Sequence, residues 1–204
     1  MSKKNNSLSI NKVFLQKVTN YNPFNKNEKS MLMKIIGFLR KNNNVFDNNY
    51  QAGHITGSAW ILSSDRSQVL LTHHVKLGIW IQLGGHADSN PNIYDVAKRE
   101  AKEESGLELI EPLSKSIFDV DVHEIPARKD FPAHKHYDIR FLFTANEKKR
   151  LTVSDESHNL AWINLTEVQE YNNETSILRM VKKSENSSLS EFIQNNKWCP
   201  SVIS

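Results

Sequence analysis

The chain has 204 residues, 38% of them hydrophobic, enough to bury one substantial core with length left over for an extension. Its single cysteine, Cys199, excludes an intramolecular disulfide and a thiolate metal cage and fits a reducing, cytoplasmic setting. No run of about 18 apolar residues crosses a membrane, and Met1 to Ile10 is polar and basic with no apolar run behind it, so no signal peptide is expected. The net charge of +3 is spread among mixed lysines and carboxylates, which leans towards anionic substrates without calling for nucleic acid.

In chain order, Met31, Leu32, Ile35, Ile36, Phe38 and Leu39 recur at helical spacing between Glu28 and Lys41, and the Asn-rich stretch Asn42 to Asn49 ends that helix. Residues 1–50 read as a helical extension whose apolar face packs on the main domain or on a second subunit, as in a homodimer. β-prone runs follow at His54 to Leu62, Gln68 to His73 and Trp80 to Leu83, separated by turns such as Ser63-Ser64-Asp65. A helix is predicted over Asn92 to Ser105. Strands resume at Ser116 to His123, His136 to Phe143 and Leu160 to Ile163, and a helix covers Glu174 to Lys183. The absence of regular βαβ alternation argues for an α+β domain over residues 51–172 with a mixed sheet between helices. Residues 173–204 form a C-terminal helix and a polar tail, loosely held from Ser184 onward except that Phe192 and Trp198 could dock.

The helix at Asn92 carries the most informative pattern. Asn92 is placed to cap it, Asp95 complements its dipole and Gly106 ends it. At about 100° per residue, Ile93, Val96 and Ala97 share a face with Glu100, Glu103 and Glu104, so an apolar stripe turns into three carboxylates. Like charges about 4 Å apart repel by on the order of 4 kcal/mol at an effective dielectric near 20, and a cation must offset them. Mg²⁺ suits an all-oxygen donor set, with Mn²⁺ as a substitute. Arg99 can orient a carboxylate by a charge-assisted hydrogen bond, and the paired glycines of Gly84-Gly85-His86 let backbone approach a metal or phosphate closely.

Gly85 to Leu107, ending Arg99-Glu100-Ala101-Lys102-Glu103-Glu104-Ser105-Gly106-Leu107, resembles the Nudix box, G-x5-E-x7-R-E-U-x-E-E-x-G-U, over its full length without a gap. Pro91 stands where the box has its first glutamate and Ala101 where it has a bulky aliphatic residue. Further likeness runs through His54 to Trp60, Leu70 to His74 and Pro132 to Asp138, covering roughly residues 50 to 170, and resembles a bacterial subgroup whose box starts Gly-Gly-His-Ala-Asp. The resemblance implies an α/β/α sandwich and a metal-dependent, MutT-like pyrophosphohydrolase. It also implies metal ligation by Glu100, Glu103, Glu104 and the Gly84 carbonyl. A further glutamate, ligand or general base, maps onto Glu156, with Asp155 as its competitor. The substrate class implied is a nucleoside diphosphate joined to another group, capped RNA being the one nucleic acid in view.

Alternation on the strand from His136 sets His136, Asp138 and Arg140 on one face, a row that suits either phosphate binding in a cleft or a structural network. His86 is grouped with them as a substrate contact, and Arg128 beside Pro126 and Pro132 as a candidate phosphate loop. His134-x-His136 would need a third ligand from afar to hold zinc, and neither an H-E-x-x-H motif nor a cysteine pair supplies one. Water attack on phosphorus is the expected reaction, with Glu156 or a box glutamate taking the proton. Two rivals share the fold. A binding or sensing module without turnover is favoured only by Pro91. An isomerase of the isopentenyl diphosphate type needs a core cysteine that Cys199, close to the chain end, does not supply.

Overall fold

The computed structural model describes residues 12–49, 53–127 and 132–196. After a helical stretch at 12–19 (α1) come α2 (Lys26–Lys41), β1 (His54–Leu62), β2 (Gln68–His74), β3 (Trp80–Ile81), β4 (Leu83–His86) and α3 (Ile93–Ser105). The second half contains β5 (Glu111–Ile125), β6 (His134–Thr144), β7 (Ser157–Asn164), α4 (Val168–Tyr171), α5 (Thr175–Lys183) and α6 (Asn186–Asn195). The sheet runs β3-β2-β1-β6-β5, with β4 paired to β1 and β7 to β2. It is mixed, because β1 pairs parallel with β6 and antiparallel with β2 and β4.

All nine residues of β1 are buried, with no polar-out alternation, because both faces of this central strand are covered. Ile55, Ala59 and Ile61 face a core shared with α1, α2 and α3, whereas Trp60 and Leu62 face a second core with Val168, Ile177, Met180 and Leu189 of the C-terminal helices. Two helical layers therefore flank the sheet, giving the expected α/β/α sandwich. Helix α3 lies close on β1 because Gly57 has no side chain; a Cβ there would sit 2.9 Å from the Ile93 carbonyl.

The apolar face of α2 is buried within this chain. Asn25 caps the helix by accepting the Glu28 N–H at 2.9 Å, and Leu32, Ile35, Ile36, Phe38 and Leu39 join the first core. Glu28, exposed in an isolated helix, is fully buried here. It accepts bonds from Tyr21 Oη (2.5 Å), the Phe24 N–H (2.6 Å) and Lys183 Nζ (2.9 Å). The tail expected to be loose after Ser184 is helical through its described part: α6 buries Leu189 and docks Phe192, as expected of that residue, against Phe118 at 5.4 Å between ring centroids, while Trp198 lies outside the described residues. Leu189, Phe192 and Ile193 recur at helical spacing within that polar stretch.

Candidate active site

The turn β4–α3 builds one wall of a cleft of about 460 Å³ lined by Gly84, Gly85, His86 and Glu156, together with His54, His136, Asp138 and Arg140. Behind the two glycines stands α3. Its N-terminus departs from expectation: Asn92 makes no side-chain cap bond and instead donates to Asp95 Oδ2 at 2.5 Å. Its C-terminus ends as expected, at Gly106 with φ 69°, whose N–H donates to the Lys102 carbonyl at 2.8 Å.

The three box glutamates do not share one environment. Glu104 is 6% exposed and accepts the Gly84 N–H at 2.8 Å. The Glu100 side chain is 13% exposed and packs on Gly85, where a Cβ would lie 2.5 Å from its carboxyl carbon. Glu103, expected on the inward surface, is 58% exposed, because its position falls at the edge of the helical stripe. Arg99 ties the group together, with 2.7 Å to Glu100, 2.9 Å to Glu103, 3.1 Å to the His86 carbonyl and 3.3 Å to Asp88. Asp88 was not singled out by sequence; the tight turn it shares with Ser89, both at positive φ (48° and 65°), brings it there.

Burial pushes the Glu100 carboxyl up to about 7, against the pull of Arg99 and reinforced by the charges of Glu103, Asp88 and Glu156. Glu104 is pushed up to about 8, again chiefly by burial; the Gly84 N–H works against the rise, and Glu100, Glu156 and Glu103 add to it. The carboxylate expected from the loop before β7 is thus electrostatically part of the cluster, and it is Glu156, not Asp155, that lines the cleft. Both raised values lie above the ordinary 4.5, so the folded state holds these protons more tightly than the unfolded chain. Their stabilising contribution is complete below about pH 4.5 and is lost as pH rises through about 7 and 8. The depressed imidazoles of His54 and His136 act in the opposite sense, but only below about pH 6.5, their ordinary value. The metal-free protein should therefore lose on the order of 5 °C in Tm between about pH 6.5 and about pH 9. A Tm that is flat or rises over that window in scanning calorimetry would count against the buried carboxylate pair.

Asp138 and Arg140 form a closed network. Asp138 accepts from Thr56 (2.9 Å), Ser58 (2.8 Å), Gln82 (3.3 Å) and Arg140 Nε (2.8 Å). Arg140 also reaches Asp119 at 3.2 Å and Asp121 at 3.5 Å. Of the two readings open for this strand face, the contacts match the structural network: the guanidinium is occupied by three carboxylates. His136 lies in a group of histidines at the same end of the cleft, and His86 reaches that group from β4. Arg128 lies outside the described residues. Pro91 lines a different groove with Phe14, Tyr94 and Phe118, away from the cleft.

A model of the NUDIX domain matches residues 54–183. The chain belongs to the Nudix family. Nudix hydrolases cleave pyrophosphate linkages, and the family generally uses divalent metal ions. Among solved structures, the MutT protein from Methanosarcina mazei Go1 is similar at 15% identity over 68% of this chain and 96% of that one, with a TM-score of 0.51. A Nudix-family hydrolase from Clostridium perfringens is 26% identical over 64% of this chain and 95% of that one (TM-score 0.48). A C. elegans Ap4A hydrolase in a binary complex is 16% identical over 69% and 98% (TM-score 0.47). No curated protein matches the sequence. The MutT likeness concerns the Nudix fold alone.

Proposed function

We propose that this Nudix protein hydrolyses the diphosphate linkage of a nucleoside diphosphate derivative, holding Mg²⁺, or Mn²⁺ in its place, at Glu100, Glu103, Glu104, Glu156 and the Gly84 carbonyl. The observation that carries the proposal is the pair of buried carboxyls on α3, raised to about 7 and 8 beside a glycine-walled cleft. Such a donor set, all oxygen and short of positive charge, fits a hard divalent cation. When bound, the ion neutralises phosphate charge and activates water.

The chain's own residues do the rest. Arg99, bonded to Glu100, Glu103 and the His86 carbonyl, fixes two carboxylates against the turn. The Gly84 N–H holds Glu104 in its orientation. Glu156, at the cleft surface, takes the proton from the attacking water, and Glu103 is the residue that would do so in its place. His86 and His136 face the cleft at the substrate end. The residue division carried by this reading is an extension at 1–50, a catalytic domain at 51–172 and a C-terminal helical segment at 173–204. Among the described residues no helix is long and apolar enough to cross a membrane. The Gly-Gly-His-Ala-Asp start of the box is consistent with the bacterial subgroup.

The substrate test is a panel of nucleoside diphosphate sugars, dinucleoside polyphosphates, dinucleotides, nucleoside triphosphates and capped RNA, with phosphate products read in Mg²⁺ and in chelator. At least one diphosphate should turn over only with metal. Tight binding of a panel compound with no turnover in Mg²⁺ would instead support a sensing module.

Gly85→Ala probes the wall directly. A Cβ there meets the Glu100 carboxyl at 2.5 to 2.8 Å, and that carboxyl is the free end of a side chain, so the carboxylate moves while the fold stays. Turnover should drop about 100-fold, as expected for a catalytic group displaced by roughly 1 Å, with stability within about 1 kcal/mol of wild type. An unchanged rate would show that Glu100 does not act from its present position.

A further inference from the structure

Beside the glutamates, the same end of the sheet gathers histidines from adjacent strands. The parallel register sets His54 on β1 opposite His136 on β6, and β4 pairs His86 with Thr56, two residues along β1. The three rings lie 4.7 to 5.2 Å apart between centroids, and their candidate ligand nitrogens are all within 4.8 Å of one another. His54 is 1% exposed, and among the described residues neither of its ring nitrogens has a hydrogen-bond partner. Leaving both polar atoms of a buried imidazole unsatisfied costs on the order of 1–3 kcal/mol each. A structural histidine in a core would have a carbonyl or carboxylate in reach.

We propose that His54, His86 and His136 form a second metal site, distinct from the glutamate cluster, for a divalent transition ion of the zinc class. Even with all three nitrogens at the 4.8 Å limit, an ion between them would sit about 2.8 Å from each, so shifts of under about 1 Å reach the 2.0–2.1 Å of a zinc–imidazole bond. His86 is exposed and can rotate inward. The donor set is all nitrogen, which favours Zn²⁺, Co²⁺ or Ni²⁺ over Mg²⁺. Burial and the neighbouring imidazoles of His86 and His134 lower His54 to about 4, so it is neutral at neutral pH, as a ligand must be. His134 stands at the rim, its Nε2 3.3 Å from His136 Nε2 and its Nδ1 3.0 Å from the Pro132 carbonyl. That carbonyl can only accept, so it places the proton on Nδ1 and turns the Nε2 lone pair towards His136, the orienting role that outer partners play around metal-bound histidines. Three protein ligands leave a tetrahedral ion one position, and these side chains line the cleft. The partners of His136 thus come from His54 on β1 and His86 on β4, with His134 outside the ligand set, an arrangement no sequence spacing could show.

The test uses the full chain stripped of metal and held in excess Mg²⁺, which blocks the glutamates. Titration with Co²⁺, read by visible absorption, should show one ion per chain with the intense bands of a tetrahedral nitrogen site, displaced by Zn²⁺. His136→Gln and His86→Gln should each weaken binding by about 100-fold or more; the exposed position of His86 keeps that variant folded. Glu104→Gln should bind Co²⁺ as wild type does even where hydrolysis is lost, so the two sites fail independently. Absence of Co²⁺ binding under Mg²⁺, binding indifferent to both histidine variants, or its loss in Glu104→Gln would each overturn the site.

Discussion

Glu104→Gln should abolish most hydrolysis while making the metal-free protein more stable. The wild-type carboxyl is 6% exposed and destabilised in its charged form by burial and by Glu100, Glu156 and Glu103. A glutamine keeps the shape and still offers an oxygen to the Gly84 N–H, but carries no charge to desolvate. Above about pH 8 the apo variant should therefore melt higher than apo wild type. Mg²⁺ should raise the wild-type Tm through ligand linkage and the variant's less. Turnover should fall about 100-fold or more, the scale of losing a preorganised charge-stabilising group. If Glu104 were only a structural anchor for Gly84, the variant would melt at or below wild type, ignore magnesium and keep its rate. Glu103→Gln separates from it: exposed and, among the described residues, paired with Arg99, it should change apo stability by no more than about 0.5 kcal/mol.

Asp119→Ala should produce the largest loss of stability, on the order of 3–5 kcal/mol and about 10 °C in Tm. Asp119 is completely buried and accepts from Arg179 at 2.7 and 2.8 Å, Arg140 at 3.2 Å and Lys183 at 3.2 Å. Burial alone would raise its pKa, but the Arg179 bonds and the charges of Lys183 and Arg140 prevail and hold it below the usual range. Removing it leaves three buried cations with fewer counter-charges, and it loosens the junction where α2 (through Glu28), β5, β6 and α5 meet. Urea unfolding measures this directly. A loss under about 1 kcal/mol would mean that Glu28, Asp121 and Asp138 suffice for the cations.

Local pattern carried the elements far. β1 occupies His54–Leu62 as read from its β-prone run, and α3 begins one residue later than expected. β5 outran its forecast at both ends because its pairing partner β6 extends the ladder from Thr144 to His134, a tertiary cause invisible in the polar residues Ser114 and Lys115. Among site residues, the box glutamates were legible from a helical stripe changing from apolar to acidic, but their unequal burial was not. Whether Glu103 faces in or out depends on where α3 sits on β1, which the contact at Gly57 sets. Arg140 and Asp138 were legible only as a polar strand face. Their pairing needed Asp119 and Asp121 from β5, reached through a register that sequence does not print. The histidine group is the extreme case, since its members sit on three strands ordered by a parallel crossover.

Cleavage of a diphosphate by the buried α3 carboxylates with a divalent ion is tested most directly by following the best panel substrate by ³¹P NMR in a Mg²⁺ titration, for wild type and Glu104→Gln side by side. Wild type should turn over only with metal, and Glu104→Gln should run about 100-fold slower at saturating Mg²⁺. Equal rates for the two proteins, or full wild-type activity in chelator, would contradict metal-dependent hydrolysis at Glu104.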